Sequence, residues 1–461
     1  MHAFFRTYRP ELSDTLRLSI PIVIAQLGVV LMGVTDNLFV GRLLGAVPLG
    51  AAGLANSLSF LITSIGVGGL AVVSALVSQA RGQGDTVAIN RLHRAGIRVA
   101  LLLSGALMLI SVVLAYCFNL FGQTPEVTRL AQNFMLILSA SILPLLVFVA
   151  ARQLCDGLRY PRVAMSITLS ALALNALFNY VLITGVGPFP ELGLYGSALA
   201  TLLSRLFMAV AMLLYIGRSR LFAPYRHIDQ TTVGPEMRTI LRLGLPGGLT
   251  FFFEVATFSL AVVIVGWLGE VQLAAHQIAL NMSSVTYMMA TGISAAAAIR
   301  VGNAVGQHNR ERAYRAGVAA FLLAGGFMVL TAALFLTTNE WLVSLYIRDN
   351  PAVAHLAATL LIMGGFFQLS DGIQVVGIGS LRGLSDVNVP TLISLFSYWG
   401  IGLPLGYVLA FPFGMDAVGV WVGLLAGLSV AAVLLTVRFF RLIRRVDLSA
   451  VVQTEGAVLT H

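Results

Sequence analysis

Four long stretches of the 461-residue chain contain no Asp, Glu, Lys or Arg: residues 43–80, 99–125, 163–190 and 387–415. About 20 apolar residues are enough for a helix to cross a lipid bilayer, and each stretch exceeds that length. Charged residues make up only 10% of the chain, whereas they make up about 25% of a soluble domain. The sequence therefore predicts an integral membrane protein. Because polar and apolar residues do not alternate strictly, helices are favoured over a β-barrel.

Turn-forming residues divide the chain into twelve predicted transmembrane helices, so the expected fold is all-α. The longest polar connection lies between helices six and seven. We expect a six-helix N-terminal lobe over 1–217, a cytoplasmic linker over 218–236, a six-helix C-terminal lobe over 237–440 and a cytoplasmic tail over 441–461. The helices are predicted at residues 13–41, 50–80, 92–121, 127–153, 162–185, 193–217, 237–268, 273–305, 312–338, 352–381, 388–411 and 416–439.

Three short motifs of the first half recur in the second half, in the same order and at similar spacing. With six helices in each half, both halves insert into the membrane in the same direction, which predicts a parallel pseudo-two-fold along the membrane normal. Several transporter families have this architecture. The matching motifs are RLSIP at 17–21 with RLGLP at 242–246, ARGQGD at 80–85 with AVGQHN at 304–309, and DGLRYPRV at 156–163 with RGLSDVNV at 382–389.

The positive charge of the chain is distributed on one predicted side of the membrane. All 28 basic residues are arginines, and the net charge is +9. All but three of them lie near the N-terminus, after the even-numbered helices or in the tail; the exceptions are Arg42, Arg129 and Arg348. The positive-inside rule therefore predicts that both termini are cytoplasmic, as in a multi-pass protein of the cytoplasmic (inner) membrane. Arginines placed between apolar segments do not indicate nucleic-acid binding.

Three acidic residues, Asp36, Glu254 and Asp371, lie inside otherwise apolar segments. A charge in hydrocarbon costs about 2.5 kcal/mol or more, so such residues usually face a wet cavity or a partner. They suit proton transfer, binding of a small cation or attraction of a cationic substrate. Alternatively, each caps backbone groups or pairs with a buried arginine. In the repeat Asp36 matches Ala261 and Glu254 matches Val29; acids absent from the other half favour function over a requirement of the fold.

Motifs along nearly the whole chain resemble those of the multidrug and toxic compound extrusion transporters, and within them the NorM-like branch. The resemblance implies a twelve-helix antiporter that exports organic cations and drugs in exchange for Na⁺ or H⁺. It also implies that Glu254 and Asp371 help form a cation site, with Na⁺ as the candidate metal ion, and that Asp36 belongs to a protonation site. The motifs are RLSIPIV, TDNLFVG, AAHQIALN at 274–281, IRVGNAVGQHNRERA at 299–313 and SLRGLSDVNVP at 380–390.

One departure from the wider family helps to place the chain within it. A branch resembling the DNA-damage-inducible transporters has an Asp in helix five, after a pair of Asn residues. Here the stretch from Asn175 to Ile183 reads NALFNYVLI and contains no acid. This difference, together with Glu254 and Asp371, favours the NorM-like branch.

Several polar and aromatic residues are secondary candidates, and each also has an ordinary structural interpretation. Asn175 and Asn179 share a helix face and are candidates for hydrogen bonds to Asp36, or for bonds that join helices. Tyr287 is a candidate for contact with a cation, or packs in the core. An adaptable substrate cavity, or else the lipid-facing surface, is expected to include Phe253, Met288 and Met289. For His276, and for the turns at 82–85 and 306–309, the structural interpretation is favoured.

These features favour secondary active antiport of small organic cations or amphiphiles over other functions. The runner-up is a lipid-linked precursor flippase of the same superfamily, which should have basic cavity residues where this chain has acids. A membrane-embedded enzyme is disfavoured, because no catalytic constellation is present. No Walker A motif is found, so we expect neither ATP nor any cofactor apart from the coupling ion, Na⁺ or H⁺. We also expect contact with membrane lipid and a monomeric carrier.

Overall fold

The computed structural model describes residues 2–121, 124–226, 232–347 and 349–445, and within them the fold is all-α. Arg348, linker residues 227–231 and tail residues 446–461 lie outside the described residues. Short 3₁₀ turns occur at Phe118–Phe121 and Arg220–Tyr225. The helices are α1 (His2–Leu44), α2 (Ala46–Leu70), α3 (Val72–Gln83), α4 (Thr86–Tyr116), α5 (Pro125–Ala140), α6 (Ile142–Gly157), α7 (Pro161–Thr184), α8 (Leu194–Arg218), α9 (Gly234–Gly266), α10 (Glu270–Gly306), α11 (Arg310–Ser344), α12 (Pro351–Gly383), α13 (Asn388–Leu395), α14 (Leu403–Ala410) and α15 (Asp416–Arg445).

Twelve spans in the described part of the chain are long and apolar enough to cross a membrane. This confirms the predicted number of transmembrane helices, and the chain is a multi-pass membrane protein. Nine of the twelve spans are single helices, whereas α2 with α3, α5 with α6, and α13 with α14 each form one span. The first span is longer than predicted, because α1 begins at His2 and continues through Pro10 and Pro21.

Two of the helices that the sequence predicts as continuous are interrupted close to a proline. A proline has no N–H to donate to the carbonyl four residues earlier. Pro144 follows the break between α5 and α6, where the Ser141 hydroxyl donates to the carbonyl of Leu138 at 2.6 Å. Pro404 follows a π-helical segment, Phe396–Gly402, between α13 and α14. The predicted helix at 388–411 therefore has a wider turn in its middle, and such turns are frequent at functional sites.

The chain forms two compact units, and both borders between them fall inside a helix. The central unit is Ile24–Gly248, and the split unit comprises Met1–Val23 and Leu249–His461. The N-terminal parts of α1 and α9 are each anchored by an ion pair within their unit. In the split unit Arg300 of α10 pairs with Glu11 and donates to its carbonyl at 2.6 Å, and in the central unit Arg91 pairs with Glu236 at 3.2 Å. The lobe boundaries expected from the sequence remain a prediction.

The repeated sequence motifs have matching local structures in the two units. Gly84 and His308 both adopt positive φ, at +76° and +54°. The residue that follows each, Asp85 or Asn309, caps the next helix by accepting a backbone N–H at 2.8 or 2.9 Å. These two turns therefore have a structural role at the ends of spans, as the sequence suggested.

One glycine in α15 allows two helices to approach with backbone contact. A Cβ placed on Gly423 would collide with the Gly406 backbone and lie 2.6 Å from the carbonyl oxygen of Gly402. We expect Gly423→Ala to destabilise the protein by ~1–3 kcal/mol, because backbone atoms cannot move aside like a flexible side chain. The matched control is Gly326→Ala in α11, where a Cβ meets nothing within 4 Å. Thermal unfolding in detergent should show a lower midpoint for the first variant only; equal midpoints would contradict this packing.

Candidate functional site

Asp36 lies in α1 within the central unit and is buried, with 6% of its surface exposed. Its Oδ1 accepts hydrogen bonds from Asn175 Nδ2 at 3.0 Å and from Asn179 Nδ2 at 2.6 Å, both from one face of α7. Its Oδ2 accepts a hydrogen bond from Thr201 Oγ1 of α8 at 2.6 Å. The Thr201 hydroxyl lies farther, 3.2 Å, from the carbonyl of Ser197, so its single proton is directed at the carboxylate. Two helices, α7 and α8, thus supply three donors to one carboxylate of α1.

The surroundings of Asp36 can accommodate both protonation states of its carboxyl group. Three donors satisfy the ionised form, and hydrogen bonds to charged groups are the stronger kind. The carbonyl oxygens Oδ1 of Asn175 and Asn179 are buried and have no hydrogen-bond partner within the described residues. If Asp36 takes up a proton, these oxygens are candidate acceptors for the new O–H after a rotation of an amide group. The geometry therefore suits reversible protonation.

Two further residues of α8 belong to this environment, and sequence reasoning missed both of them. Thr201 donates directly to Asp36, and Arg205, one turn later, interacts electrostatically with the same carboxylate. Arg205 also donates to Ser141 Oγ at 2.7 Å, which holds its guanidinium at the break between α5 and α6. The only signal in the sequence is the i,i+4 spacing of Thr201 and Arg205, which places both on one face of an otherwise apolar helix. This spacing does not show which neighbouring helix packs against that face.

A second acidic group lies in the split unit, on α9, α10 and α12. Glu254 and Asp371 are buried, with 5% and 3% of their surfaces exposed. Tyr287 forms a hydrogen bond with Glu254, and Glu254 and Asp371 interact electrostatically. Because like charges repel, the two carboxylates are unfavourable together when both are ionised. The repulsion is relieved when one of them takes up a proton or when a cation binds between them. The structure thus brings together the three residues that the sequence singled out in this half.

Several polar atoms in or beside the second group have no hydrogen-bond partner within the described residues. Glu254 Oε1, both polar atoms of Gln374 and the hydroxyl of Tyr398 are buried without a partner within the described residues. Gln374 lies one turn beyond Asp371 on α12, and Tyr398 lies in the π-helical segment and interacts electrostatically with both acids. Oxygen atoms of carboxylates, amides and hydroxyls are the ligands that hard cations prefer. Sequence reasoning missed Gln374 and Tyr398, because uncharged polar residues are common in membrane helices.

A single arginine supplies positive charge to the second group. Arg382, near the end of α12, interacts electrostatically with Glu254 and with Tyr287. Within the described residues, no cluster of three or more His, Cys, Asp or Glu side chains suited to a metal ion is found. A cation held here would therefore depend on two carboxylates together with neutral oxygen atoms. That donor set suits a monovalent cation or a proton.

The residues expected to line a substrate cavity are half-buried. Among the described residues, no hydrogen bond or ring contact joins any of them to Glu254 or Asp371. The Phe253 ring packs edge-on against Trp399 at 6.1 Å and against Phe252 at 5.8 Å between ring centroids. Met288 and Met289 follow Tyr287 directly on α10 and are also half-buried. Their role in substrate binding remains a prediction.

His276 has a structural environment, as the sequence suggested. The residue is fully buried in α10, and its Nδ1 accepts a hydrogen bond from Trp421 Nε1 of α15 at 3.0 Å. The two rings also meet edge-to-face, with their centroids 5.8 Å apart. This side chain therefore joins two helices of the split unit rather than joining the acidic group.

Comparison with known proteins gives matches over nearly the whole chain. The MatE family model matches twice, at residues 21–181 and 246–408, once in each half of the repeat. A probable multidrug resistance protein NorM of Rhizobium meliloti (strain 1021) is 38% identical over 444 residues, which cover 94% of each chain. A protein of the same name from Pseudomonas putida (strain KT2440) is 37% identical over 456 residues, covering 97% of this chain and 98% of that protein.

Solved structures share the fold of this chain. The eukaryotic MATE transporter AtDTX14 superposes with a TM-score of 0.89 at 20% identity, covering 98% of this chain and 99% of that one. An outward-facing multidrug resistance MATE family transporter of the MOP superfamily gives a TM-score of 0.85 at 19% identity, covering 96% of each chain. The family match and the NorM relatives together show that this chain is a membrane transporter, not an enzyme, and that it belongs to the MatE family, in its NorM-like branch.

Proposed function

We propose that this protein is a secondary active antiporter that exports cationic or amphiphilic organic compounds in exchange for an inward-moving cation. The observation that carries the proposal is the pair of buried acidic groups, Asp36 with its three donors and Glu254 with Asp371 and Tyr287. Buried ionisable residues in membrane helices usually mark ion or substrate pathways. Relatives named as multidrug resistance proteins, at 37–38% identity, support organic compounds as the cargo.

The two acidic groups differ in chemistry, and we assign them different ions. Asp36 is surrounded by N–H and O–H donors, which stabilise a carboxylate but repel a metal cation. It is therefore the proton site. In and beside the group of Glu254 and Asp371, Oε1 of Glu254, Oε1 of Gln374 and the hydroxyl oxygen of Tyr398 are buried without a hydrogen-bond partner among the described residues, and oxygen ligands of this kind suit Na⁺. This assignment agrees with the roles implied by the family resemblance.

Export follows if ion and cargo compete for the same negative charge. With the acids ionised, a cationic cargo is stabilised; when a proton or Na⁺ neutralises them, that stabilisation is lost and the cargo is released. Ion and cargo thereby favour different states of an alternating-access cycle, and their binding is coupled with opposite sign. The ion gradient supplies the free energy, so no ATP is needed, and a single chain with both groups suffices as a monomer.

Topology and location complete the proposal. The arginine distribution supports cytoplasmic termini by the positive-inside rule, and the bacterial origin of the relatives supports the cytoplasmic (inner) membrane as the location. The alternative cargo, a lipid-linked precursor carrying a pyrophosphate, is disfavoured by charge. Each described group has buried carboxylates at its centre, which repel a pyrophosphate, and each has only one arginine in electrostatic range.

A cell assay tests the proposed function. Cells that express the protein should accumulate less of a fluorescent lipophilic cation than control cells. Dissipating both the Na⁺ and the proton gradient with ionophores should raise accumulation to the control level, because the gradients drive export. If accumulation stayed low after both gradients had collapsed, a secondary antiporter would be the wrong conclusion.

Thr201 provides a sensitive test of the proton site. Thr201→Val removes the hydroxyl but keeps the shape of the side chain, so the ionised Asp36 loses its donor at 2.6 Å. Hydrogen bonds to charged groups contribute ~1.5–3 kcal/mol, so we expect proton-driven export to fall about tenfold or more. Thr201→Ser keeps the hydroxyl and should retain most activity. Initial rates of export under a pH gradient compare the three proteins; equal rates for Val and Ser would exclude this role.

A further inference from the structure

A groove on the split unit combines an apolar wall with three arginines. It lies between α13 and the end of α15 and encloses about 370 Å³. Its apolar lining includes Val389, Ile393 and Leu434, and its basic lining consists of Arg438, Arg441 and Arg445. None of these residues belongs to either acidic group.

The three arginines share one side of α15. They are spaced i, i+3 and i+7, so they project within about 60° of one another and span about 10 Å along the helix axis. Arg438 is already neutralised, because Asp386 accepts hydrogen bonds from it at 2.6 and 3.1 Å. Arg441 and Arg445 have no ion-pair partner among the described residues. The groove therefore has an excess of two positive charges.

The apolar part of the groove continues onto a surface that faces outward from the helices. On α15, Leu434 and Val437 are 40% and 38% exposed. Beside the groove on α13, Leu392 is 63% exposed, and Phe396 just beyond it is 59% exposed. In a membrane protein such a surface contacts acyl chains, so the groove joins the lipid phase at one end and a basic cluster at the other.

The corresponding part of the central unit has a different local structure. There the 3₁₀ turn Arg220–Tyr225 follows α8, and Phe222 is 1% exposed. Its ring packs edge-on against Tyr160 at 5.9 Å. In the sequence repeat Tyr160 matches Asp386, so an aromatic contact in one half corresponds to the Arg438–Asp386 ion pair in the other. The two halves therefore differ in chemistry at this position, where the split unit has an ion pair and the central unit has a contact between two aromatic rings.

We propose that this groove binds an anionic glycerophospholipid of the membrane, with its phosphates on Arg441 and Arg445 and an acyl chain along α13 and α15. A head group with two phosphates matches the excess charge and the spacing of the arginines. Basic pockets between transmembrane helices commonly bind such head groups. The double variant Arg441→Gln/Arg445→Gln tests the site, and Arg444→Gln is the matched control, since Arg444 is exposed on the same turn but does not line the groove.

Native mass spectrometry of the purified full chain measures binding of diphosphatidylglycerol, with phosphatidylcholine as the neutral comparison. We expect tight binding only of the anionic lipid, weakened about 30-fold in the double variant and less than about threefold in the control. Equal weakening in both would show a general effect of charge and overturn the site. Unchanged thermal midpoints establish that the variants are folded.

Two further measurements separate the lipid from other occupants. Millimolar inorganic phosphate should leave lipid binding unchanged, because it cannot use the apolar wall; displacement by phosphate would show a simple anion site instead. Residues 446–461 are an alternative occupant, so the chain truncated after Arg445 is also measured. If the lipid bound only to the truncated chain, the tail would be the natural occupant and the proposal would be wrong.

Discussion

Asp371→Asn and Glu254→Gln should each reduce ion-driven export to the level of vesicles without protein. Both side chains are buried in the split unit and interact electrostatically with each other. Each supplies one of the two negative charges that stabilise the bound cation, so either substitution removes half of that negative charge. Asn and Gln preserve the size and shape of the side chains, and the loss therefore reports on charge and polarity and not on packing. The measurement is the initial rate of export of a lipophilic cation from vesicles under an imposed Na⁺ gradient.

Glu270→Gln is the matched control for this prediction. Glu270 is an exposed acid in the first turn of α10, and the same change there should leave export within about twofold of the unaltered protein. Export that persisted in Asp371→Asn with normal dependence on Na⁺ would remove the cation site from the mechanism. Loss in the control as well would point to a general effect of surface charge.

Asp36→Asn should abolish the proton-driven component of export and weaken binding of a cationic cargo, because the negative charge that proton and cargo share is removed. Asn has no ionisable group, so no proton can be taken up and released at the position that accepts hydrogen bonds from Asn175, Asn179 and Thr201. Its amide also places donors against donors, which fixes the site in an uncharged form. The two readouts are export under a pH gradient and equilibrium binding of the fluorescent cargo.

The repeat supplies a control for this substitution. Asp85→Asn makes the same chemical change at a helix cap, and Asn309 performs the equivalent capping in the other half. Asp85→Asn should therefore preserve both export and stability. If Asp36→Asn kept a normal response to the pH gradient, Asp36 would have a structural role, as a residue that joins α1 to α7 and α8.

Hydropathy predicted the number of spans, but not their internal breaks. The length of an apolar run is a property of the sequence alone, whereas the break at Ser141 and the π-helical segment at Phe396–Gly402 depend on how Pro144 and Pro404 are accommodated by neighbouring helices. Similarly, α1 and α9 read as uniform apolar helices, and hydropathy cannot reveal that each contributes to two compact units.

The candidate site was predictable where charge or helical spacing marks a residue. Acids in apolar segments identified Asp36, Glu254 and Asp371, and the i,i+4 spacing placed Asn175 and Asn179 on one face. Thr201 and Tyr398 could not be identified, because a hydroxyl in a membrane helix is common and becomes informative only beside a carboxylate. The separation of a donor-rich group from an acceptor-rich group likewise depends on contacts between helices.

The most direct test uses purified protein in sealed vesicles loaded with a fluorescent lipophilic cation, with a Na⁺ gradient and a pH gradient imposed separately. We predict that each gradient drives export, that Asp371→Asn loses the response to Na⁺, and that Asp36→Asn loses the response to pH. If neither gradient moved any of several such cations through the unaltered protein, coupled export of organic cations would be contradicted, and the flippase alternative would become the leading explanation.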